Sequence, residues 1–438
     1  MLKKCFLVVI FILIIVPIIC FNHDKDVASN IDNRMLTELT DFKLETVNNY
    51  VNDRIGFREE AINIYNAINE KIFNVSTNPQ LMIGKDNNIY PIVNSIPEFN
   101  DYHECFLNTI KNMQNYCEER GVKFYYMIDP SKATIMTDKL PNGINYNSYW
   151  LDEFISKAKD MGMGINLVDN YNYFKEIDVE IPLYNKRYDS YHWNDDGAFY
   201  GINNLLNSIG VEENNLEDFT REKYPGAKDE DVYDLTTDLK PEDYTDKYKE
   251  GLMMADDFKE FLYYKQNNNG PKLLSFEGSY LLTNDRTEKF IANHFSETIV
   301  VHDYQNVFNI NYYLNIFKPD IVLFEMADYT FQEYYFAKYY METMQLQPVL
   351  NVDNIIQKGE LQYSKEVNSE YVTYIIKNPD EAFDCKYLIA DDDVYDLYKY
   401  DNENIALTIL LENDFDINNV SVITKDKDNN VGYSYKLK

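Results

Sequence analysis

Hydrophobic and polar residues follow three different patterns along this chain, and the first is an almost unbroken apolar run over residues 5–21. A run of this length, preceded by Lys3 and Lys4, is typical of a short membrane span or of a signal-peptide core. Because the lysines keep the N-terminus in the cytoplasm, the rest of the chain is expected on the extracytoplasmic side of the cell membrane. No small-residue cleavage site follows the run. Residues 1–22 therefore favour an uncleaved single-pass signal anchor, with a cleaved signal as the alternative.

The second pattern has helical spacing and then becomes an alternation of strands and helices. Apolar residues recur at helical spacing over residues 27–73, so residues 23–78 are predicted to form a helical neck. A Lys-Asp-Asn-Asn turn at 85–88 between two apolar runs indicates a hairpin. The following strands are predicted at 122–128, 166–168, 272–276, 298–302 and 321–324, and the helices at 100–120, 149–161, 197–209, 286–294 and 307–317. This order predicts a three-layer α/β/α domain with a parallel sheet over residues 79–347.

Two regions interrupt that alternation. Residues 220–270 are acidic, turn-rich and weakly periodic, which indicates an insertion over one face of the domain. In the third pattern, short apolar runs lie between Asn/Asp turns at 371–377, 386–389, 405–411, 420–424 and 433–437. Residues 348–438 are therefore predicted to form a small all-β domain similar to a β-sandwich.

Composition excludes some classes of function. The formal net charge of −32 repels nucleic-acid phosphates, so no nucleic acid is expected as a partner. The five cysteines match no zinc spacing, and Cys105 and Cys117 are about 18 Å apart along one predicted helix, too far for a disulfide. The acidic insertion has no EF-hand spacing, and Asp195 and Asp196 are expected to cap a helix. Free thiols, no metal and no cofactor are expected.

The stretch Asp189-Ser190-Tyr191-His192-Trp193 carries the first candidate chemistry. A carboxylate close to a histidine can fix the tautomer of the imidazole and stabilise the imidazolium, which suggests an activated hydroxyl elsewhere. Ser279 is the most suggestive hydroxyl, because it follows the predicted strand 272–276 and Gly278, which permits a sharp turn. Each residue alone has a structural interpretation, as a turn serine or a hydrogen-bonded histidine. Together, in this order on an α/β chain, they favour a nucleophile and its base.

Several separate segments resemble one family. They are Asn52-Asp53-Arg54-Ile55-Gly56-Phe57-Arg58, Ile83-Gly84-Lys85-Asp86-Asn87-Asn88-Ile89-Tyr90, Asp129-Pro130-Ser131-Lys132, Ser190-Tyr191-His192-Trp193, Glu277-Gly278-Ser279-Tyr280 and Phe317-Lys318-Pro319-Asp320-Ile321-Val322. In this order they are similar to the motifs of SGNH-hydrolase-like proteins of the alginate O-acetyltransferase type, also described by an Asp-His-His-Trp (DHHW) motif. The resemblance covers roughly residues 45–335.

The resemblance implies an extracytoplasmic O-acetyltransferase or acetylesterase that acts on a cell-surface polysaccharide. Ser279 would be the nucleophile, His192 the base and Asp189 the orienting acid of an acyl-enzyme mechanism. A multi-span membrane acyltransferase is the implied partner that would deliver the acetyl group.

Three further residues are candidates for substrate binding, each with a structural alternative. Lys132 at a strand end would touch the substrate or be a solvated surface lysine. Tyr280 would lie beside the nucleophile or pack in the core, and Trp193 would stack on a sugar or pack beneath His192.

Two departures from the family pattern leave a second function open. The family acid lies two residues before the histidine, where this chain has Ser190, and Asp189 lies one residue further back. Asp189 could complete the triad if the loop is one residue longer, but on a strand two adjacent residues would point to opposite faces. The residue before Ser279 is Gly278 instead of the family Asp. The alternative function is a catalytically degenerate surface protein that binds glycan or scaffolds assembly of an envelope polysaccharide.

Overall fold

The computed structural model describes most of the chain. The described residues are 2–24, 28–29, 34–73, 75–92, 98–144, 146–164, 166–223, 233–236, 242–243, 260–266, 269–281, 287–302, 304–344, 346–367, 371–379, 383–391 and 393–438. The chain divides into two compact units, residues 1–92 and residues 93–438.

The first unit is mainly helical. Its elements are α1 (Leu2–Ile19), β1 (Ala28–Ser29), β2 (Arg34–Met35), α2 (Leu44–Arg54), α3 (Arg58–Ile68) with a π-helical turn (Asn69–Phe73), β3 (Leu81–Ile83) and β4 (Ile89–Pro91). Strands β3 and β4 pair antiparallel, which confirms the predicted hairpin. The neck is helical in α2, in α3 and in the π-helical turn, but β1 and β2 form a small antiparallel pair where helix was predicted. Within the described part of the chain, no helix combines the length and apolar character needed to cross a membrane, so the structure does not support the predicted anchor over residues 1–22.

A seven-stranded sheet organises the second unit. The strands of its α/β part, with one short separate pair, are β5 (Lys123–Asp129), β6 (Leu167–Asp169), β7 (Thr220–Lys223), β8 (Tyr233–Thr236), β9 (Glu242–Asp243), β10 (Glu260–Lys265), β11 (Lys272–Phe276), β12 (Glu297–His302) and β13 (Ile321–Ala327). The sheet order is β6-β5-β13-β11-β12-β10-β9, and the first five of these strands are parallel. The sequence-predicted parallel sheet is therefore present.

Helices cover both faces of this sheet. They are α4 (Asp101–Glu119), α5 (Lys132–Ile135), α6 (Tyr149–Asp160), α7 (Asn170–Glu176), α8 (Asp195–Ile209), α9 (Glu288–Ala292), α10 (Ile310–Phe317) and α11 (Lys338–Thr343). Successive residues of a strand point to opposite faces. In β5, Phe124 and Tyr126 pack with α4 and α6, whereas Tyr125 and Met127 pack with α8. The three-layer α/β/α arrangement follows from this alternation.

Part of the region predicted as an insertion belongs to the sheet. Strand β10 pairs antiparallel with β12 and carries β9 on its other side, and β7 pairs with β8 apart from the main sheet. The prediction of an insertion covering all of residues 220–270 is therefore wrong for Glu260–Lys265. The remainder of that region lies largely outside the described residues.

The C-terminal part contains two packed sheets, as predicted. Its strands are β14 (Ile355–Leu361), β15 (Tyr363–Val367), β16 (Tyr371–Lys377), β17 (Cys385–Ala390), β18 (Asp393–Asp396), β19 (Tyr398–Lys399), β20 (Asn404–Leu410), β21 (Val420–Lys425) and β22 (Gly432–Leu437). The sheet orders are β14-β22-β21-β17-β18 and β15-β16-β20-β19. Buried residues of both sheets, including Tyr374, Leu388, Leu407 and Val422, share one core. The predicted domain boundary between residues 347 and 348 stays a prediction.

Candidate active site

The carboxyl ends of three parallel strands bring polar residues to one edge of the central sheet. Strand β5 ends at Asp129, β11 is followed by Glu277-Gly278-Ser279, and β13 is followed by Asp328 and Tyr329. Ligands and reacting groups commonly lie at this edge of a parallel sheet. Gly278 and Tyr280 are buried while Ser279 between them is exposed, so of these three residues only Ser279 presents its side chain to solvent.

The loop over residues 177–194, between α7 and α8, carries the other predicted site residues. Lys132 Nζ donates to the carbonyls of Asn185 (2.6 Å) and Lys186 (2.9 Å), which fixes the middle of this loop. The carbonyl of Tyr191 accepts from the backbone N–H of Lys132 (3.0 Å) and from the Tyr280 hydroxyl (2.9 Å). The loop is therefore attached both to the end of β5 and to the residue after Ser279.

Ser279, His192 and Asp189 form a continuous hydrogen-bonded chain. His192 Nε2 lies 2.9 Å from Ser279 Oγ, and His192 Nδ1 lies 2.9 Å from Asp189 Oδ2. A carboxylate only accepts, so Nδ1–H donates to Asp189 and Nε2 is left to accept from the serine hydroxyl. This is the geometry required of an activated nucleophile, its base and an orienting acid.

Asp189 reaches the histidine because the segment is a loop. Its Oδ1 accepts from the backbone N–H groups of Tyr191 (2.7 Å) and His192 (3.1 Å), which turns the chain back toward the carboxylate. Because no strand passes through residues 177–194, Asp189 and Ser190 are not bound to the alternating faces of a strand. Burial by itself raises the pKa of the Asp189 carboxyl, but its hydrogen bonds from His192 and the backbone outweigh burial and hold that pKa below its ordinary value.

The other three predicted site residues lie beneath the surface. Lys132 is fully buried with its ammonium group on two carbonyls, so neither a substrate contact nor a solvated surface lysine fits its position. Trp193 is buried, donates from Nε1 to the carbonyl of Tyr280 (3.0 Å) and packs directly on Gly201 of α8. The structure thus favours the packing interpretation over sugar stacking for Trp193.

Tyr280 supports the histidine from below. Its ring is fully buried, and its centroid lies 4.9 Å from that of the His192 imidazole in an edge-on arrangement. Its hydroxyl is already bonded to the loop at Tyr191. Tyr280 therefore lies within the core, and the structure favours the packing interpretation over a substrate contact. The predicted helix cap is also displaced, because Asn194 caps α8 through Gly197 N–H (2.9 Å) and Asp195 and Asp196 lie in its first turn.

A row of tyrosines that was not predicted from the sequence borders Ser279. The tyrosine row consists of Tyr191, Tyr329, Tyr335 and Tyr334. Tyr329 Oη lies 3.3 Å from Ser279 Oγ, and its ring centroid is 5.1 Å from that of Tyr191 and 6.3 Å from that of Tyr335. Tyr334 is in edge contact with Tyr335 and is 87 % exposed. In so tyrosine-rich a chain, only the position of Tyr329 just after β13 could have indicated this row.

Buried carboxyl groups lie under the same edge of the sheet. Asp129, Glu277, Glu325 and Asp328 are all at most 2 % exposed. Burial raises the pKa of Asp129 to about 8, that of Glu277 to about 8 and that of Asp328 to about 6. Among the described residues, no group of three or more His, Cys, Asp or Glu side chains is arranged to hold a metal ion.

No protein-family model matches the sequence, and no curated protein matches it. Three solved structures are similar to this one. Bacillus cereus PatB1 with a sulfonyl adduct is 18% identical with a TM-score of 0.42, covering 57% of this chain and 97% of its own. A DHHW family protein from Eubacterium siraeum is 17% identical with a TM-score of 0.43, covering 61% of this chain and 100% of its own. The O-acetyltransferase domain of Pseudomonas putida AlgJ is 15% identical with a TM-score of 0.38, covering 61% and 99%. The structural neighbours thus include the family that the sequence motifs resemble.

Proposed function

We propose that this protein is an extracytoplasmic O-acetyltransferase or acetylesterase that acts on a cell-surface polysaccharide through an acyl-enzyme on Ser279. The observation that carries this proposal is the hydrogen-bonded chain from Ser279 Oγ through His192 to Asp189, with 2.9 Å at each step. The exposure of the serine supports a reaction with a large substrate, since a polymer chain can approach it from solvent.

In the proposed reaction, His192 Nε2 takes the proton of Ser279 as Oγ attacks the carbonyl carbon of an acetyl ester. Asp189 stabilises the imidazolium that forms. The tetrahedral intermediate collapses, the leaving alkoxide takes the proton from His192, and the acetyl group stays on Ser279 as an ester. A sugar hydroxyl, or water, then gives its proton to His192 and attacks that ester. His192 returns the proton to Oγ as the ester bond breaks, which releases the acetylated product or acetate and restores the serine.

The hydroxyl of Tyr329 is placed to assist the developing oxyanion. It lies 3.3 Å from Ser279 Oγ. Burial raises its pKa above the ordinary value for tyrosine, so the phenol stays neutral and can donate. A preorganised donor next to the charge that develops in the transition state is a large source of catalysis.

The tyrosine row supports a carbohydrate acceptor. Aromatic rings present an apolar face and a polar tip, which suits the apolar faces and hydroxyl groups of a pyranose. The row extends from the nucleophile outward to the exposed ring of Tyr334. A polysaccharide with one sugar unit on the Tyr334 ring could therefore extend along the row to Ser279.

The location and the acetyl donor belong to the same proposal. Lys3 and Lys4 before the apolar run are features of an export signal, which supports an extracytoplasmic site of action. Acetyl-CoA is cytoplasmic, so a transferase on the outside would need a multi-span membrane acyltransferase as its donor partner. Cell fractionation and protease accessibility of the native protein test the location.

The activity is tested with the purified full-length chain, p-nitrophenyl acetate and a panel of neutral oligosaccharides. We expect ester hydrolysis that Ser279→Ala and His192→Ala reduce by roughly 10³-fold or more, while Ser208→Ala, an exposed serine on α8, has no effect. Acetylated oligosaccharide in the product would identify a transferase, and acetate alone an esterase. A wild type no faster than Ser279→Ala would leave the glycan-binding alternative as the better account.

A further inference from the structure

The peptide group that joins Glu277 to Gly278 is held from both sides. Its N–H, on Gly278, donates to Glu325 Oε2 at 2.6 Å. Its C=O, on Glu277, accepts from His302 Nδ1 at 2.9 Å. Glu325 lies in β13 and His302 ends β12, the two strands on either side of β11 in the sheet. One peptide plane between the last strand residue and the nucleophile is therefore fixed by side chains from both neighbouring strands.

Gly278 leaves the space that this contact needs. A Cβ at Gly278 would lie 3.2 Å from Glu325 Oε2 and 3.2 Å from Cδ1 of Tyr304, closer than most real Cβ contacts. The absence of a side chain thus allows the carboxyl group of Glu325 to approach the backbone directly.

The carboxyl group of Glu325 is itself supported from below. The carboxyl groups of Glu325 and Asp129 lie within hydrogen-bonding reach of each other. Among the described residues, no N–H or hydroxyl group donates to Glu325 Oε1 or to Asp129 Oδ2. A hydrogen bond between two carboxyl groups requires one proton. Asp129 Oδ1 accepts from Asn170 Nδ2 (2.7 Å), which extends the support to α7.

We propose that Glu325 and His302 are positioning residues that clamp the Glu277–Gly278 peptide and thereby hold Ser279 Oγ in line with His192. The inference rests on the proposed function for its activity readout. Neither side chain touches the substrate in the proposed reaction, so the clamp acts through the backbone. Misplacement of a nucleophile by about 1 Å is enough to cost roughly 100-fold in rate.

The kinetic test compares variants of Glu325 in the full-length chain. Glu325→Gln keeps an acceptor oxygen for Gly278 N–H and adds an amide donor for Asp129, so we expect kcat for p-nitrophenyl acetate within about threefold of wild type. Glu325→Ala removes the acceptor and is expected to lower kcat by roughly 30- to 100-fold with KM unchanged. Glu288→Ala is the matched control, because it removes a carboxyl group on α9 that is also buried and that the clamp does not use. Equal losses in Glu325→Gln and Glu325→Ala, or in Glu288→Ala, would overturn the clamp.

A second measurement does not depend on activity. In protein labelled with ¹⁵N-glycine, the short hydrogen bond predicts a Gly278 amide proton displaced downfield in wild type and Glu325→Gln, and upfield of that position in Glu325→Ala and His302→Ala. If Glu325→Ala does not fold, Gly278→Ala tests the same contact, because its added Cβ would crowd Glu325 Oε2. A kcat of Gly278→Ala within twofold of wild type would contradict the clamp. A wild type that hydrolyses no ester but shows the downfield resonance would reject the proposed function and retain the clamp.

Discussion

The ionisable side chains at the two edges of the central sheet have different kinds of partner. At the amino edge, the Arg120 guanidinium before β5 donates to Asp396 Oδ2 (2.8 Å) and to the carbonyl of Gln347 (3.0 Å), and it stacks over the Tyr116 ring at 3.7 Å. Lys318 before β13 pairs with Asp393 at 2.7 Å. At the carboxyl edge, by contrast, the buried carboxyl groups of Asp328, Glu325 and Asp129 accept hydrogen bonds from neutral groups.

This difference indicates that the amino edge serves stability and that the carboxyl edge serves the candidate site. Pairing opposite charges fixes the C-terminal sheets against the α/β part at the amino edge, where Asp393 and Asp396 belong to β18. Carboxyl groups without a cation are costly to bury, and they are found where strain or raised pKa values serve a site. Among the residues that the structure describes, the buried carboxyl groups beside the exposed nucleophile form no salt bridge, and this is where chemistry is expected.

The largest expected effect is at the acid of the carboxyl edge. Asp189→Asn should lower kcat by roughly 10³-fold, because an amide can stabilise the imidazolium only weakly and can select the wrong tautomer. Steady-state hydrolysis of p-nitrophenyl acetate measures the effect. Ser190→Ala, at the position of the family acid, is the adjacent control and should change kcat by less than about threefold. A loss in Ser190→Ala comparable to that in Asp189→Asn would mean that the acid has been misassigned.

Removing the cation of the amino edge should affect stability and leave the chemistry intact. Arg120→Ala leaves the Asp396 carboxylate, 5% exposed, without its cation. Breaking a buried pair in this way costs about 3 kcal/mol of unfolding free energy. Urea unfolding measures the loss, and kcat measured well below the new midpoint should stay within about twofold of wild type. A large fall in kcat would show that the two edges are coupled.

The carboxyl edge should make stability fall as pH rises. The pKa of Glu277 is about 8 in the folded chain, because burial raises it above its ordinary value. Between the ordinary pKa and 8, the folded state holds a proton that the unfolded state has lost, so unfolding becomes easier as pH increases. Thermal unfolding between pH 5 and pH 9 should show this decline, and Glu277→Gln should make it shallower. An unchanged slope in Glu277→Gln would contradict the burial of a protonated acid.

The smallest effect is expected at the exposed pair of the amino edge. Lys318 and Asp393 have side-chain exposures of 46% and 59%. Exposed pairs contribute little, so Lys318→Ala should change the unfolding free energy by less than about 0.5 kcal/mol. Urea unfolding beside Arg120→Ala checks this. A loss as large as that of Arg120→Ala would show that the two pairs act as one network.

The strands and the three central site residues were predictable from sequence for specific reasons. The strands of the parallel sheet are short, mostly apolar runs, and Ser279 and His192 stand at a strand end and close to an acid. Strand β14 was missed because most of Ile355–Leu361 is exposed and polar, so it has no apolar run. Strand β10 was missed because it follows an acidic segment without periodicity.

Other parts of the site depend on contacts that distant residues make. Glu325 lies 47 residues from Gly278, and nothing in an otherwise apolar strand predicts that it meets the peptide before the nucleophile. Lys132 was expected near the substrate because it follows a strand end, but the loop carrying Asn185 and Lys186 covers it. The backbone N–H groups of Tyr191 and His192 donate to Asp189 and turn its carboxylate toward the His192 ring. These contacts exist only in the folded loop, so the sequence could not show that Asp189 reaches the histidine.

Covalent labelling of Ser279 tests the central claim most directly. The full-length chain is treated with a sulfonyl fluoride, and the adduct is located by peptide mass spectrometry. The account predicts one adduct on Ser279 in wild type, none in Ser279→Ala, and labelling at least roughly 100-fold slower in His192→Ala, because the base that activates the hydroxyl is gone. Labelling of other residues without Ser279, or equal rates in wild type and His192→Ala, would contradict it.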